Sequence, residues 1–153
     1  LNQLHIFNGV GRLMASIFTQ IIHGDLPGHF LWRDEKAVAI MTISPIKPGH
    51  CLVIPVEEID HWDDMPADLA AHLIRVAQKV AKGLKTVYSP KRVGMMIAGL
   101  EVPHTHLHLI PVDQLTDFDF SLQGPATPEQ LASEAGKIRN ALLELGCVEA
   151  GCV

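Results

Sequence analysis

The chain has 153 residues, 48% of them apolar and 19% charged, with a formal net charge of −5. That length lets one domain bury roughly two thirds of its unfolded surface, and no apolar run approaches the roughly 18 residues a membrane span needs. A net negative charge without a lysine or arginine stripe offers nothing to a nucleic-acid backbone, so neither a polynucleotide nor a bilayer is expected as a partner.

Residues 1–18 hold no basic segment leading into an apolar core and do not read as a signal peptide. Met14 reads as a natural start, which makes residues 1–13 an upstream extension and residues 14–153 a single domain. Within residues 16–23, Phe18, Ile21 and Ile22 recur at helical spacing until Gly24 to Gly28 stops them, predicting a short helix and a loop. Residues 30–32 and 37–42 are apolar runs split by Arg33 to Lys36, the pattern of a hairpin, and residues 50–55 follow as a buried strand. From Pro66 to Val87, Leu69, Leu73, Val76, Val80 and Leu84 recur every three or four residues, predicting a long helix. Residues 93–98 and 105–111 read as two more strands, joined by a short link. A last helix is expected to start at Thr127-Pro128, an N-cap with proline at the first turn, and to end by Gly146. Strands bunched around helices without βαβ alternation predict an α+β fold with a mainly antiparallel five-stranded sheet.

The three cysteines, Cys51, Cys147 and Cys152, are odd in number and lack a C-x-x-C spacing. This fits reduced thiols and predicts a cytoplasmic protein.

Chemistry concentrates in His104-Thr105-His106-Leu107-His108. In a strand, alternate side chains share a face, so the three imidazoles line up on one surface while Thr105, Leu107 and Leu109 take the other. One alternative is a solvated polar face. Another is a metal site, because His-x-His sets two imidazoles about 6.6 Å apart at the backbone, and His104 and His106 with His50 would reach one ion. All three strand histidines on one ion would be strained, since the outer two lie roughly 13 Å apart.

The run from His104 to Ile110 resembles the H-φ-H-φ-H-φ-φ signature of the histidine triad (HIT) superfamily. The similarity extends over residues 16–111, through SIFTQII, ISPIKPGHCLVIP and AGLEVPHTHLHLIP in order, with Thr105 at a usually apolar position. The resemblance implies a HIT-like fold, a homodimer formed through the long helix, and a small phosphoramidase or nucleotide hydrolase acting on a purine nucleotide or its conjugate. It makes His106 the nucleophile, a role that suits a neutral imidazole near pH 7. His104 would fix the reactive tautomer through its carbonyl, and His108 and His50 would orient the site and donate to phosphoryl oxygens.

A base pocket is implied at Phe18, Ile21, Leu26, Ile40 and Ile43. Thr42 stands where relatives carry an acidic or amide residue for the ribose hydroxyls, so ribose binding is expected to be weak. Gly99, Glu101 and Val102 occupy the loop that reaches the phosphate and leaving group, and Glu101 brings a negative charge there. Ser16 and Thr19 stand where zinc-binding members have cysteines, so neither a metal nor another cofactor is expected. His5, His23, His29, His61 and His72 read as surface or packing residues. The competing function is a purine-nucleotide-binding or sensing module that keeps the triad but turns over poorly.

Overall fold

The computed structural model describes residues 15–153; the upstream extension expected at residues 1–13 and the start expected at Met14 lie outside the described residues. Helix α1 (Ile17–Ile22) starts where the Ser16 hydroxyl accepts the Thr19 N–H at 3.1 Å. It satisfies a backbone donor that the first helical turn leaves orphaned. Strands β1 (Phe30–Arg33) and β2 (Ala37–Met41) form the expected hairpin. Its turn is organised by one carboxylate: Asp34 accepts the Lys36 and Ala37 N–H groups and the Trp32 indole N–H, each at 2.8 Å.

Strand β3 (Cys51–Pro55) precedes the long helix α2 (Ala67–Tyr88), and β4 (Arg92–Met96) and β5 (Leu107–Val112) follow it. Helix α3 (Pro128–Glu144) begins at the expected Thr127 cap, where Thr127 and Gln130 exchange side-chain and backbone hydrogen bonds. The sheet runs β1-β2-β3-β5-β4 with every pairing antiparallel. Strands β2, β3 and β5 are buried along their whole length, which is why their sequences read as continuous apolar runs instead of alternating ones.

Two layers cover the sheet. Ala39, Met41, Val53, Leu107 and Leu109 pack with Leu73, Val76, Val80 and Leu84 of α2 and with Leu131, Ile138 and Leu142 of α3. Each valine, leucine, isoleucine or methionine among them contributes about 1.5–3 kcal/mol on burial. The two helices meet at Gly83, where an added Cβ would lie 2.9 Å from Leu142 Cδ2, so alanine there would push them apart. On the opposite face Val38, Ile40, Leu52 and Ile54 pack with Phe18 and Ile22 of α1. The register sets Ile40 beside Leu52 and Leu52 beside His108, which places His108 on this second face.

Strand limits differ from expectation by one or two residues at several ends. β2 stops at Met41, β3 starts at Cys51 and β4 ends at Met96. β5 starts at Leu107, not Thr105, because the Thr105 N–H goes to the Ile59 carbonyl in a loop at 2.7 Å. His104 to His106 therefore approach the ladder without being part of it.

Candidate active site

The site is built from a buried turn and the start of β5. Gly49, at φ +84°, has no room for a side chain, since a Cβ would lie 2.6 Å from the Tyr88 ring. Its N–H donates to the Glu134 carboxylate at 2.8 Å, which also accepts the Tyr88 hydroxyl at 3.1 Å. This anchored turn delivers His50 to the interior, fully buried.

Hydrogen bonds assign the protons. The Ile46 N–H donates to His50 Nδ1 at 3.0 Å, so the His50 proton is on Nε2, which donates to His108 Nδ1 at 2.9 Å. The proton of His108 is then on its Nε2. His106 Nδ1 donates to the His104 carbonyl at 2.8 Å, since that oxygen can only accept, and the lone pair of His106 is left on Nε2. Burial, with the neighbouring His108 as a second cause, pushes the His50 pKa down to about 3; burial and then His106 push His108 down to about 4. A buried imidazolium would be costly, so both rings are neutral.

His104 is held from two sides. Its Nε2 donates to the Pro55 carbonyl at 2.9 Å, and its Nδ1 accepts from the Ser16 hydroxyl at 2.6 Å. The Glu58 carboxylate accepts the Ser16 N–H at 3.0 Å and the Thr19 hydroxyl. The hydroxyls at the positions where a zinc-binding member would place cysteines are thus engaged by a carboxylate and an imidazole. Among the described residues no three His, Cys, Asp or Glu side chains cluster as a metal-ligand set, and both ring nitrogens of His50 and of His104 are already hydrogen-bonded within the protein. Aromatic edges complete the packing: Phe18 lies 4.9 Å from His106, and Phe120 lies 5.1 Å from His108 and 6.3 Å from His50, ring centre to ring centre.

In front of His106 and His108 opens a cleft of about 570 Å³. Phe18, Ile21, Ile40, Thr42, Ile43, Glu101 and Val102 line it. Leu26 and Gly99 do not. Leu26 sits in the exposed turn that closes α1, and Gly99 in an exposed link where no atom lies within 4 Å of a Cβ. His104 and His50 lie behind the cleft. His50 can orient His108, but its only N–H is already given to that ring, so it has none for a phosphoryl oxygen.

Sequence reasoning missed part of the wall. His29, read as a surface or packing residue, lines the cleft, as do Gln123, Ala126, Pro128 and Leu131 from the segment after β5. The available signal was length: residues 113–127 form a connection long enough to suggest a functional loop. Gly28 also lines the cleft, where a Cβ would collide with Ile21 at 2.5 Å, so backbone forms that stretch of wall.

Residues 23–115 match the HIT domain family model. The chain is 34% identical over 99 residues to an uncharacterised HIT-like protein of Methanocaldococcus jannaschii, covering 62% of this chain and 77% of that one. It is 33% identical over 98 residues to an adenosine 5'-monophosphoramidase of Saccharomyces cerevisiae, covering 63% and 62% respectively. The crystal structure of a zinc-bound histidine triad family protein from Mycobacterium smegmatis superposes with a TM-score of 0.75 at 27% identity, over 89% of this chain and 99% of that one. The matched segment spans β1 to β5 and carries His104, His106 and His108 with His50 behind them, so the family and the geometry meet on the same residues: the chain belongs to the HIT-domain family.

Proposed function

We propose that the protein is a nucleotide hydrolase that opens the bond between the α-phosphate of a purine nucleotide and its leaving group through a nucleotidyl-histidine intermediate on His106. One observation carries this reading: the His106 Nδ1–H is tied to the His104 carbonyl at 2.8 Å, which leaves a bare Nε2 lone pair on a residue lining the cleft. Nε2 bonds to the α-phosphorus, the bond to the leaving group breaks with its electron pair, and the leaving group takes a proton from solvent. Water then attacks phosphorus, loses a proton to solvent and frees the imidazole.

His108 Nε2–H is the donor for a phosphoryl oxygen as charge develops, and a donor set in place by His50 costs no reorganisation at that moment. Phe18, Ile21 and Ile40 offer apolar surface for the base. The yeast relative's activity, an adenosine 5'-monophosphoramidase, supports a phosphoramidate of AMP as the first substrate to try. Hydrolysis of an adenosine phosphoramidate, with AMP as product and a rate indifferent to EDTA, is the expected outcome. Binding without turnover across phosphoramidates, adenylates and dinucleoside polyphosphates would reject the enzyme in favour of a sensing module.

The partner proposed for the outer face of α2 is a second copy of the chain. Ile74 of that helix, Trp62 and Met95 of β4 are exposed, and Trp62, Ile74 and Ile97 flank a small apolar groove of about 80 Å³. Sedimentation at micromolar concentration should give a dimer. The free cysteines, two of them buried, support a reducing compartment such as the cytoplasm. Among the described residues no helix is long and apolar enough to cross a membrane.

A further inference from the structure

The cleft in front of His106 has an unusual charge balance for a site that takes phosphate. Among the described residues lining it there is no lysine and no arginine, and there is one carboxylate, Glu101. The remaining lining is apolar, neutral polar or imidazole, and burial keeps His108 neutral. Glu101 stands on the exposed link between β4 and the histidines, five positions before His106, and no described residue pairs with its carboxylate. The next residue, Val102, packs with the Phe18 cluster, and Phe18 touches the His106 ring edge-on, so the carboxylate is carried on the nucleophile's side of the cleft.

This arrangement suits some leaving groups and not others. A nucleotide being attacked at its α-phosphorus already brings one negative charge, and every further phosphate in the leaving group adds another. With no lysine or arginine among the described lining residues to receive them, a polyphosphate tail meets the repulsion of Glu101. A leaving group with a positive charge reverses the sign, and such an attraction acts over a Debye length of about 8 Å at physiological salt. Resting on the phosphoryl-transfer reading above, the geometry points to Glu101 as a charge filter on the leaving group: the site selects nucleoside phosphoramidates whose amine carries an additional ammonium, and turns away dinucleoside polyphosphates. Glu101 makes no bond to phosphorus; it acts on specificity, by attraction of the amine's distant charge.

The test compares two adenosine phosphoramidates of equal length, one made from a diamine and so carrying a free ammonium, the other from the matching monoamine. In the parent protein kcat/KM is expected to favour the diamine conjugate by about fivefold at low salt, the upper range for an exposed ion pair, and the preference should fade towards unity in about 0.5 M salt. Glu101→Gln should bring the ratio near one, and Glu101→Lys should take it below one while improving use of a dinucleoside polyphosphate. Because the readout is a ratio between two substrates of one protein, loss of overall activity does not blur it. The same two compounds are titrated by calorimetry into the His106→Asn protein, so that selection is read without chemistry. No turnover in the parent but a diamine preference in binding would overturn the enzyme reading and leave the filter standing. Equal ratios in parent, Gln and Lys proteins would overturn the filter and mark Glu101 as a solvated loop acid.

Discussion

The floor and the rim of the cleft are built on different principles. The floor is His50, His104, His106 and His108, all buried. Six of its eight ring nitrogens are hydrogen-bonded within the protein. The rim is Thr42 and Ile43 after β2, Glu101 and Val102 before the histidines, and Gln123 to Pro128 after β5, all half-buried or exposed. A buried imidazole without a partner costs about 1–3 kcal/mol, so floor positions tolerate one tautomer and one orientation. A rim side chain faces no such penalty and is free to differ. The floor therefore sets which reaction is available, and the rim sets what is presented to it.

The largest expected effect separates the two at once. His106→Asn keeps a polar group of similar reach but removes the attacking nitrogen, and the covalent route should close with a loss of about a thousandfold or more in kcat, the scale on which a nucleophile and its orienting partners act as a unit. Nucleotide affinity should change little, because the apolar wall is untouched. Single-turnover assays with labelled substrate should trap a protein-bound nucleotide in the parent and none in the variant. Turnover that survived in the variant would mean that the floor does not supply the nucleophile.

A second effect belongs to the floor alone. His50, His104 and His108 have pKa values lowered first of all by burial, to about 3 for His50 and about 4 for His108. An unfolded chain protonates the same groups near 6.5. Between those values the unfolded state binds more protons than the folded one, so the contribution is full above about pH 6.5 and is lost as pH falls towards 4. His50 and His108 each contribute a slope of up to about 1.4 kcal/mol per pH unit in that window. Urea unfolding midpoints should therefore drop steadily from about pH 6.5 to about pH 5, and a flat profile there would contradict the buried, neutral floor.

Much of the floor was legible in the sequence. Three histidines at period two, and a fourth in a Pro-Gly-His turn ahead of an apolar run, announced both their shared surface and the family they resemble. The hidden part was bonding. Periodicity gives the side of the chain a residue points to, but not that Thr105 spends its N–H on Ile59 and so delays β5 to Leu107. Nor does it give that His50 spends its own N–H on His108. The rim was read less well for a different reason. Gln123, Ala126, Pro128 and Leu131 reach the cleft by folding back over a distance of many residues, and nothing local in their sequence marks them. Leu26 and Gly99 show the opposite case: they lie beside the right elements in sequence but are not among the residues lining the cleft. The layers of the fold were easier, since α2 and α3 are stripes at helical spacing with clear starts at Pro66 and Thr127.

The smallest effect tests the rim where sequence and structure agree. Thr42 lines the cleft just past the end of β2, and its hydroxyl oxygen accepts the Ser44 N–H at 3.4 Å. That leaves one O–H to give and one lone pair to accept with, whereas a ribose offers two hydroxyls that both prefer a strong acceptor. A carboxylate at this position would accept from both in charge-assisted bonds, each shorter and roughly twice as strong as its neutral counterpart. Thr42→Asp is therefore expected to tighten AMP binding by about 1 kcal/mol, a five- to sixfold change. The gain is bounded because the new charge also repels the phosphate, and at physiological salt that repulsion is screened over about 8 Å. Calorimetric titration of AMP into parent and variant reads the difference directly. Titration with the matching 2′,3′-dideoxy nucleotide supplies the control, since the variant should gain nothing for a sugar without hydroxyls. Equal affinities for AMP in the two proteins, or an equal gain with the dideoxy sugar, would move the ribose away from Thr42 and leave Gln123 as the rim residue to examine next.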